Sequence, residues 1–235
     1  MQTEVPMLPG GPIARRPLHF IFIADCSLSM GGAKIQSLNH AIREAIPHMR
    51  EVATGNPNAE VLVRAIRFSA GAQWHVAQPT PVDVFEWQDL SVNGMTDMGQ
   101  ALRLAGDALR TQSMPERALP PVLVLISDGQ PTDDFDGGLR ALMGEAWGKK
   151  AVRIAIAIGE DADRAVLKRF IGHAELEPLL AHNAQDLVDY IRWASTAVLK
   201  AASAPASQSA AMAPGINVPL PAPPKPDPTD PGDVW

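Results

Sequence analysis

Three short apolar runs constrain this chain more than any other feature: residues 20–24 (Phe-Ile-Phe-Ile-Ala), 122–126 (Val-Leu-Val-Leu-Ile) and 152–158 (Val-Arg-Ile-Ala-Ile-Ala-Ile). All are far shorter than the roughly 20 residues that a membrane helix needs. They have the look of strands covered on both faces, which must be apolar on alternate and intervening positions alike. Between them the apolar period changes to that of a helix, as in Ile35, Leu38, Ile42, Ala45, Ile46 and Met49 across 33–52, where Pro47 predicts a kink or local break. Further helices are predicted over 100–109, 139–147, 165–171 and 184–199, with a short strand at Leu179-Leu180. Residues 61–68 alternate, and Trp74-His75-Val76 follows after Gly71, so a hairpin is predicted there. Strands alternating with helices of this length give an α/β fold with a mostly parallel sheet, one antiparallel hairpin strand and helices on both faces.

Composition places the boundaries. At 235 residues and 46% apolar, the chain suits one sizeable domain. Residues 200–235 are rich in Pro, Ala and Ser and hold little aliphatic periodicity, so they are expected to form a flexible, partly polyproline tail. Its acidic end, with Asp233, Val234 and Trp235, reads either as inert chain or as a docking peptide. Residues 1–16 form a short N-terminal extension without an apolar signal-peptide core, leaving 17–199 as the domain. A formal net charge of −6 excludes a nucleic-acid binder that relies on broad positive charge. Cys26, the single cysteine, excludes an internal disulfide framework and a Cys-rich zinc site. No membrane association and a cytosolic location are expected.

In open parallel sheets, ligands collect at the carboxyl ends of the strands. The first apolar run leads into Asp25-Cys26-Ser27-Leu28-Ser29-Met30, the second into Ser127-Asp128-Gly129-Gln130-Pro131-Thr132, and Gly94-Met95-Thr96-Asp97 precedes the helix at Gln100. These loops offer the carboxylates of Asp25 and Asp128 and the hydroxyls of Ser27, Ser29 and Thr96. Such hard oxygen donors suit Mg²⁺, with Mn²⁺ as the close substitute. Two carboxylates balance a divalent charge, and a remaining open position could accept an acidic group from another molecule. The scattered histidines (19, 40, 48, 75, 173 and 182) have no spacing suited to zinc, and Gly31-Gly32-Ala33-Lys34 lacks the rest of a phosphate-binding loop. Cys26 reads as a packed residue, Asp97 as the cap of the following helix, and Asp133, Asp134 and Asp136 as turn and capping residues. Met30, Met95, Gln130 and Phe135 adjoin the site in sequence and read either as its rim or as core.

Asp25-Cys26-Ser27-Leu28-Ser29, Thr96 and Asp128 together resemble the metal-ion-dependent adhesion site of von Willebrand factor type A domains, in the family's order, over residues 17–199. The resemblance implies a Rossmann-like sheet of about six strands with the metal at its top. It implies that Ser27, Ser29 and Thr96 bind through hydroxyls, and that Asp25 and Asp128 act directly or through water. Leu28 stands where the family commonly has glycine, and it is expected to alter the loop without abolishing binding. The stretches at 30–35, 94–102, 126–134 and 155–163 look closer to TerY-type proteins of bacterial tellurite-resistance and stress clusters, whose relatives are encoded beside a Ser/Thr protein kinase and a metal-dependent protein phosphatase. A non-catalytic adaptor is thus expected, joined through the ion to an Asp or Glu of a protein partner. Two alternatives stay open: a Mg²⁺-dependent hydrolase or phosphotransferase using the same site, and a metal-free scaffold. Ser203, Ser207, Ser209 and Thr229 are candidate phosphorylation positions by expected exposure alone.

Overall fold

The computed structural model describes residues 15–203 and 220–225. Strand β1 (Arg16–Asp25) and a single 3-10 turn (Leu28–Met30) lead to α1 (Ala33–Thr54), followed by β2 (Ala59–Ser69), β3 (Gly71–Pro81), α2 (Met98–Ala108) and β4 (Val122–Ser127). Then come α3 (Phe135–Gly144), α4 (Ala146–Lys150), β5 (Val152–Ile158), α5 (Arg164–Ile171), β6 (Leu179–Ala181), α6 (Ala184–Trp193), a π-helical stretch (Ala194–Val198) and α7 (Leu199–Ala202). The sheet has six strands in the order β3-β2-β1-β4-β5-β6. Only β3 runs antiparallel within it. This is the mostly parallel α/β architecture predicted from the alternation of periods.

Side chains alternate across a strand, so each central strand feeds two cores. Phe20, Phe22, Val124, Ile126, Ile154 and Ile156 meet α1 and α6 on one face. Ile21, Ile23, Leu123, Leu125, Ala155 and Ala157 meet α2, α3 and α5 on the other. Every residue of β4 and β5 is buried, which is why those runs carry almost no polar side chains. At the hairpin, Gly71 takes a φ of 87° one residue after Ala70, a conformation that favours glycine, and pairs with Ser69.

Several local expectations are corrected. Helix α1 runs unbroken through Pro47 to Thr54. The single helix expected over 139–147 is two: Asp134 starts α3 early by accepting the Gly137 N–H at 2.8 Å, and an extended Glu145 separates α3 from α4. The last long helix widens after Trp193, where the Thr196 hydroxyl bonds back to the Arg192 carbonyl at 2.7 Å and Ser195 does the same to Ile191. Ser203 is 3% exposed and donates to the Lys200 carbonyl while accepting from Asn56, so the exposure that made it a phosphorylation candidate is absent. Residues 220–225, assigned by composition to the tail, lie on the domain. Leu220 packs on the α1 side of the core, and Pro223 lines a cavity of about 190 Å³ with Ile154, Leu179 and Trp193. Ser207, Ser209, Thr229 and the terminal Asp233, Val234 and Trp235 lie outside the described residues.

Candidate metal centre

The carboxyl ends of β1 and β4 lie side by side at the centre of the sheet, with Ala24 opposite Ile126. Chain continuity therefore brings Asp25 and Asp128 together. Asp25 Oδ1 accepts the Ser27 N–H at 2.8 Å, which folds the loop back over the strand end. Its Oδ2 accepts the Ser127 hydroxyl at 2.5 Å. The Ser27 and Ser29 hydroxyls are 2.9 Å apart, and Ser29 donates to Asp128 Oδ1 at 2.8 Å. Thr96 joins from the third loop: its Oγ1 and Asp25 Oδ2 lie 3.4 and 3.7 Å from the point where a Cβ on Gly129 would stand. All five side chains named from the sequence thus converge. Asp25, Ser27, Thr96 and Asp128 are buried, and Ser29 is exposed, so the cluster opens to solvent on the Ser29 side.

The third loop is fixed by backbone bonds to the other two. Leu28 donates to the Gly94 carbonyl at 3.2 Å and Asn93 to that of Cys26 at 2.7 Å. Thr96 and Thr132 are joined twice: the Thr96 N–H meets the Thr132 hydroxyl at 3.0 Å, and the Thr132 N–H meets the Thr96 carbonyl at 2.9 Å. Gly94 has a φ of 68°, and a Cβ there would stand 2.7 Å from that of Ala70, so the approach to the hairpin requires glycine.

Asp97 does not cap α2, as expected from its position; its carboxylate accepts from Gly71 N at 2.8 Å, from Gln100 Nε2 at 2.8 Å and from the Thr132 hydroxyl at 3.1 Å. The cap comes from a different loop: Asp133 accepts from Gly99 N and Gln100 N, both at 2.8 Å. Asp134 caps α3 and pairs with Arg103 at 2.7 Å, and Asp136 pairs with Arg169. These bonds tie α2, α3 and the hairpin to one another around the site.

Two residues were not singled out from the sequence. Ser127 holds Asp25 from the strand itself; its place just before Asp128, on the same strand face as Leu123 and Leu125, was the available signal. Lys34, on the first turn of α1, places its ammonium 2.6 Å from Asp128 Oδ2, against a carboxylate only 1% exposed. Of the four rim candidates, two are corrected: Met30 is wholly buried and Phe135 is 5% exposed, both packed in the core. Met95 and Gln130 are exposed.

Burial holds the Asp25 carboxyl above its ordinary pKa, with the Asp128 charge adding to the effect, while bonds from Ser127 and Ser27 favour the ionised form. A carboxylate in that setting gains from a cation that restores the lost solvation. Burial pushes the Cys26 thiol up to about 12, so Cys26 is a packed neutral group at ordinary pH.

The donor set fits a hard divalent cation: carboxylate and hydroxyl oxygens, linked in one chain, with one member facing solvent. Among the described residues no cluster of three or more His, Cys, Asp or Glu side chains could hold a metal, so a site built on soft or nitrogen ligands is not found there.

Residues 20–130 match the family model of the von Willebrand factor type A domain. A search of curated proteins finds no match. Among solved structures, the von Willebrand factor type A protein from Catenulispora acidiphila superposes with a TM-score of 0.59 at 18% identity, over 77% of this chain and 42% of that one. The ArnB paralog VWA2 from Sulfolobus acidocaldarius gives 0.57 at 17% identity, over 75% and 44%. Proximal thread matrix protein 1 from the mussel byssus, in a form with a zinc-occupied MIDAS motif, gives 0.59 at 14% identity, over 80% and 49%. The chain thus spans less than half the length of these structures, and identities so low speak to the fold alone. Von Willebrand factor type A domains often mediate protein–protein interactions with a MIDAS metal site. Residues 20–130 thus match the von Willebrand factor type A model, and the six-stranded sheet that carries the converged oxygen cluster has the fold of these structures.

Proposed function

We propose that this domain is a non-catalytic interaction module in which Asp25, Ser27, Ser29, Thr96 and Asp128 hold Mg²⁺ or Mn²⁺. The ion would supply an electrophilic anchor for an Asp or Glu carboxylate of a protein partner. One observation carries the reading: two buried carboxylates and three hydroxyls from three separate loops converge on one point that opens to solvent at Ser29. The protein's own task is to keep those oxygens converged. Ser127 and the Ser27 N–H orient Asp25, Lys34 and Ser29 orient Asp128, and Thr132 fixes the Thr96 backbone.

A hydrolytic or phosphotransfer reading needs a group beside the ion that can take up or release a proton. The basic side chain that reaches the cluster, Lys34, is engaged in neutralising Asp128. On the strength of the motif resemblance, the setting we propose is a cytoplasmic TerY-like adaptor in a bacterial stress-response complex with a Ser/Thr protein kinase and a metal-dependent phosphatase.

Calorimetric titration of the full chain with Mg²⁺ tests the site. Saturable heat and a raised Tm are expected, both lost in Asp25→Ala and Asp128→Ala variants that keep the far-UV circular dichroism of the parent. No heat and no thermal shift with either Mg²⁺ or Mn²⁺ would sink the reading in favour of a metal-free scaffold.

A further inference from the structure

Strand β6 pairs with β5 only from Ile156 to Ile158, so the amino-terminal part of β5 has no strand on that side among the described residues. Ile154, Leu176, Leu179 and Trp193 line the cavity of about 190 Å³ left there, with Pro223 across it. Two exposed carboxylates, Glu175 and Glu177, also line it. Lys168 fixes this wall: its ammonium donates to the carbonyls of Ala174 at 3.1 Å and Leu176 at 2.7 Å and pairs with Glu177. Glu175 has no ion pair among the described residues, so its charge is left for a basic group. Trp193 is 8% exposed, and its indole N–H is buried without an acceptor among the described residues.

The chain's own segment at this groove indicates the chemistry that suits it. In Leu220-Pro221-Ala222-Pro223-Pro224-Lys225, Leu220 packs on the core and Pro223 lies against the cavity. Proline fixes φ near −65° and has no N–H, so such a segment is extended before it binds and leaves few unmet donors against an indole. Lys225, two residues after Pro223, suits the two carboxylates; Asp227, Asp230 and Asp233 carry the wrong charge for them. The fit is loose: the cavity stays open beside Pro223, the Trp193 N–H is unmet, and Pro223 itself is exposed. A ligand that fills the space and offers a backbone carbonyl to that N–H gains on both counts. We infer that the groove docks a proline-rich segment with an adjoining Lys or Arg, supplied by another protein, and that Leu220–Lys225 is its weak occupant in cis, displaced by that partner. This surface lies apart from the oxygen cluster and does not depend on a metal.

The test uses the full chain in EDTA, so that its outcome is independent of the metal-dependent reading, with a fluorescein-labelled Leu-Pro-Ala-Pro-Pro-Lys peptide as probe. Anisotropy is expected to show saturable binding to the Leu220→Ser/Pro223→Ser/Pro224→Ser variant and about tenfold weaker binding to the parent. That is the effect of a cis competitor at about millimolar effective concentration on a Kd of about 0.1 mM. Adding Glu175→Lys to the tail variant should weaken the peptide about threefold at unchanged far-UV circular dichroism, the scale of one exposed ion pair. Equal binding to parent and tail variant overturns the cis occupancy, and binding to neither overturns the groove as a docking site. Binding indifferent to Glu175→Lys overturns the basic residue in the partner. Sedimentation covers the remaining occupant: a dimer of the parent that is lost in the tail variant would assign the segment to exchange between two copies and overturn the proposed displacement.

Discussion

The two faces of the sheet are packed by different means. On the α1 and α6 face the contacts are bulky: Phe20 and Phe22 sit edge to face at 4.9 Å between ring centroids, Trp87 joins Phe22 at 6.1 Å, and long aliphatic side chains fill the rest. Its buried polar plug, Asn39, donates to the Leu90 carbonyl and accepts from Trp87 Nε1 and Leu90 N. On the α2 and α3 face the helices meet through glycine. A Cβ on Gly138 would overlap the carbonyl of Gly99, one on Gly99 would overlap the carbonyl of Asp134, and one on Gly106 would stand 3.2 Å from Leu142 Cα. This face also takes the buried ionisable groups of the sheet. His19 shares the strand face of Ile21, and Arg153, on the face of Ala155 and Ala157, donates to the carbonyls of Phe170 at 2.8 Å and Gly148 at 3.0 Å. The lesson is a division of labour. Bulk on the first face supplies stability, and close backbone approach on the second fixes the loops that carry Thr96 and Asp128.

Truncating bulk and closing the glycine seam should therefore have separable effects. Phe22→Ala is expected to cost about 3–5 kcal/mol by urea unfolding, the range for deleting a buried aromatic ring, with Mg²⁺ affinity close to that of the parent under native conditions. A large loss of metal affinity at full folding would erase the proposed division.

The buried histidine of the second face gives the fold a pH dependence in the acid range. Burial, helped by the Arg64 charge, lowers the His19 pKa to about 4, and neither ring nitrogen has a hydrogen-bond partner. The unfolded chain takes the proton near the ordinary value of 6.5 and the folded chain holds it off to about 4. Stability is therefore full above about 6.5 and falls with pH, by about 3 kcal/mol once below both values. His19→Leu should flatten that part of the curve in urea titrations at pH 7 and pH 4. An unchanged slope would remove His19 as the cause.

Gly138→Ala is the mildest in stability and the sharpest in function: about 1–3 kcal/mol lost, the usual cost of an overpacked contact, with Mg²⁺ affinity falling disproportionately as α2 and α3 are pushed apart. Calorimetry on the folded variant reads this directly. Parent-like affinity would mean that the seam does not position the site.

Much of this was legible in the sequence because it depends on local patterns. Apolar runs named the central strands, helical spacing named α1, α2, α5 and α6, and the residue types in three strand-end loops named the oxygen cluster. What could not be read depends on which loop lies beside which. Asp133 takes the capping task expected of Asp97 because two loops 36 residues apart at Thr96 and Thr132 are hydrogen-bonded together, which brings a carboxylate of the distant loop to the α2 N-terminus. Met30 and Phe135 adjoin the site in sequence but turn inward, and Leu28 and Met95 turn outward, a choice made by the backbone direction of each turn.

The sequence by itself determined the order of strands and helices and the chemistry offered at the strand ends, because burial on two faces and oxygen-rich loops leave marks in every few residues. Only the tertiary structure decided that Lys34 faces Asp128, that glycines set the distance between α2 and α3, and that Leu28 and Met95 stand in solvent while Met30 and Phe135 are buried. Those features arise from packing segments far apart along the chain, where a charge or a missing Cβ acquires meaning only from its neighbour.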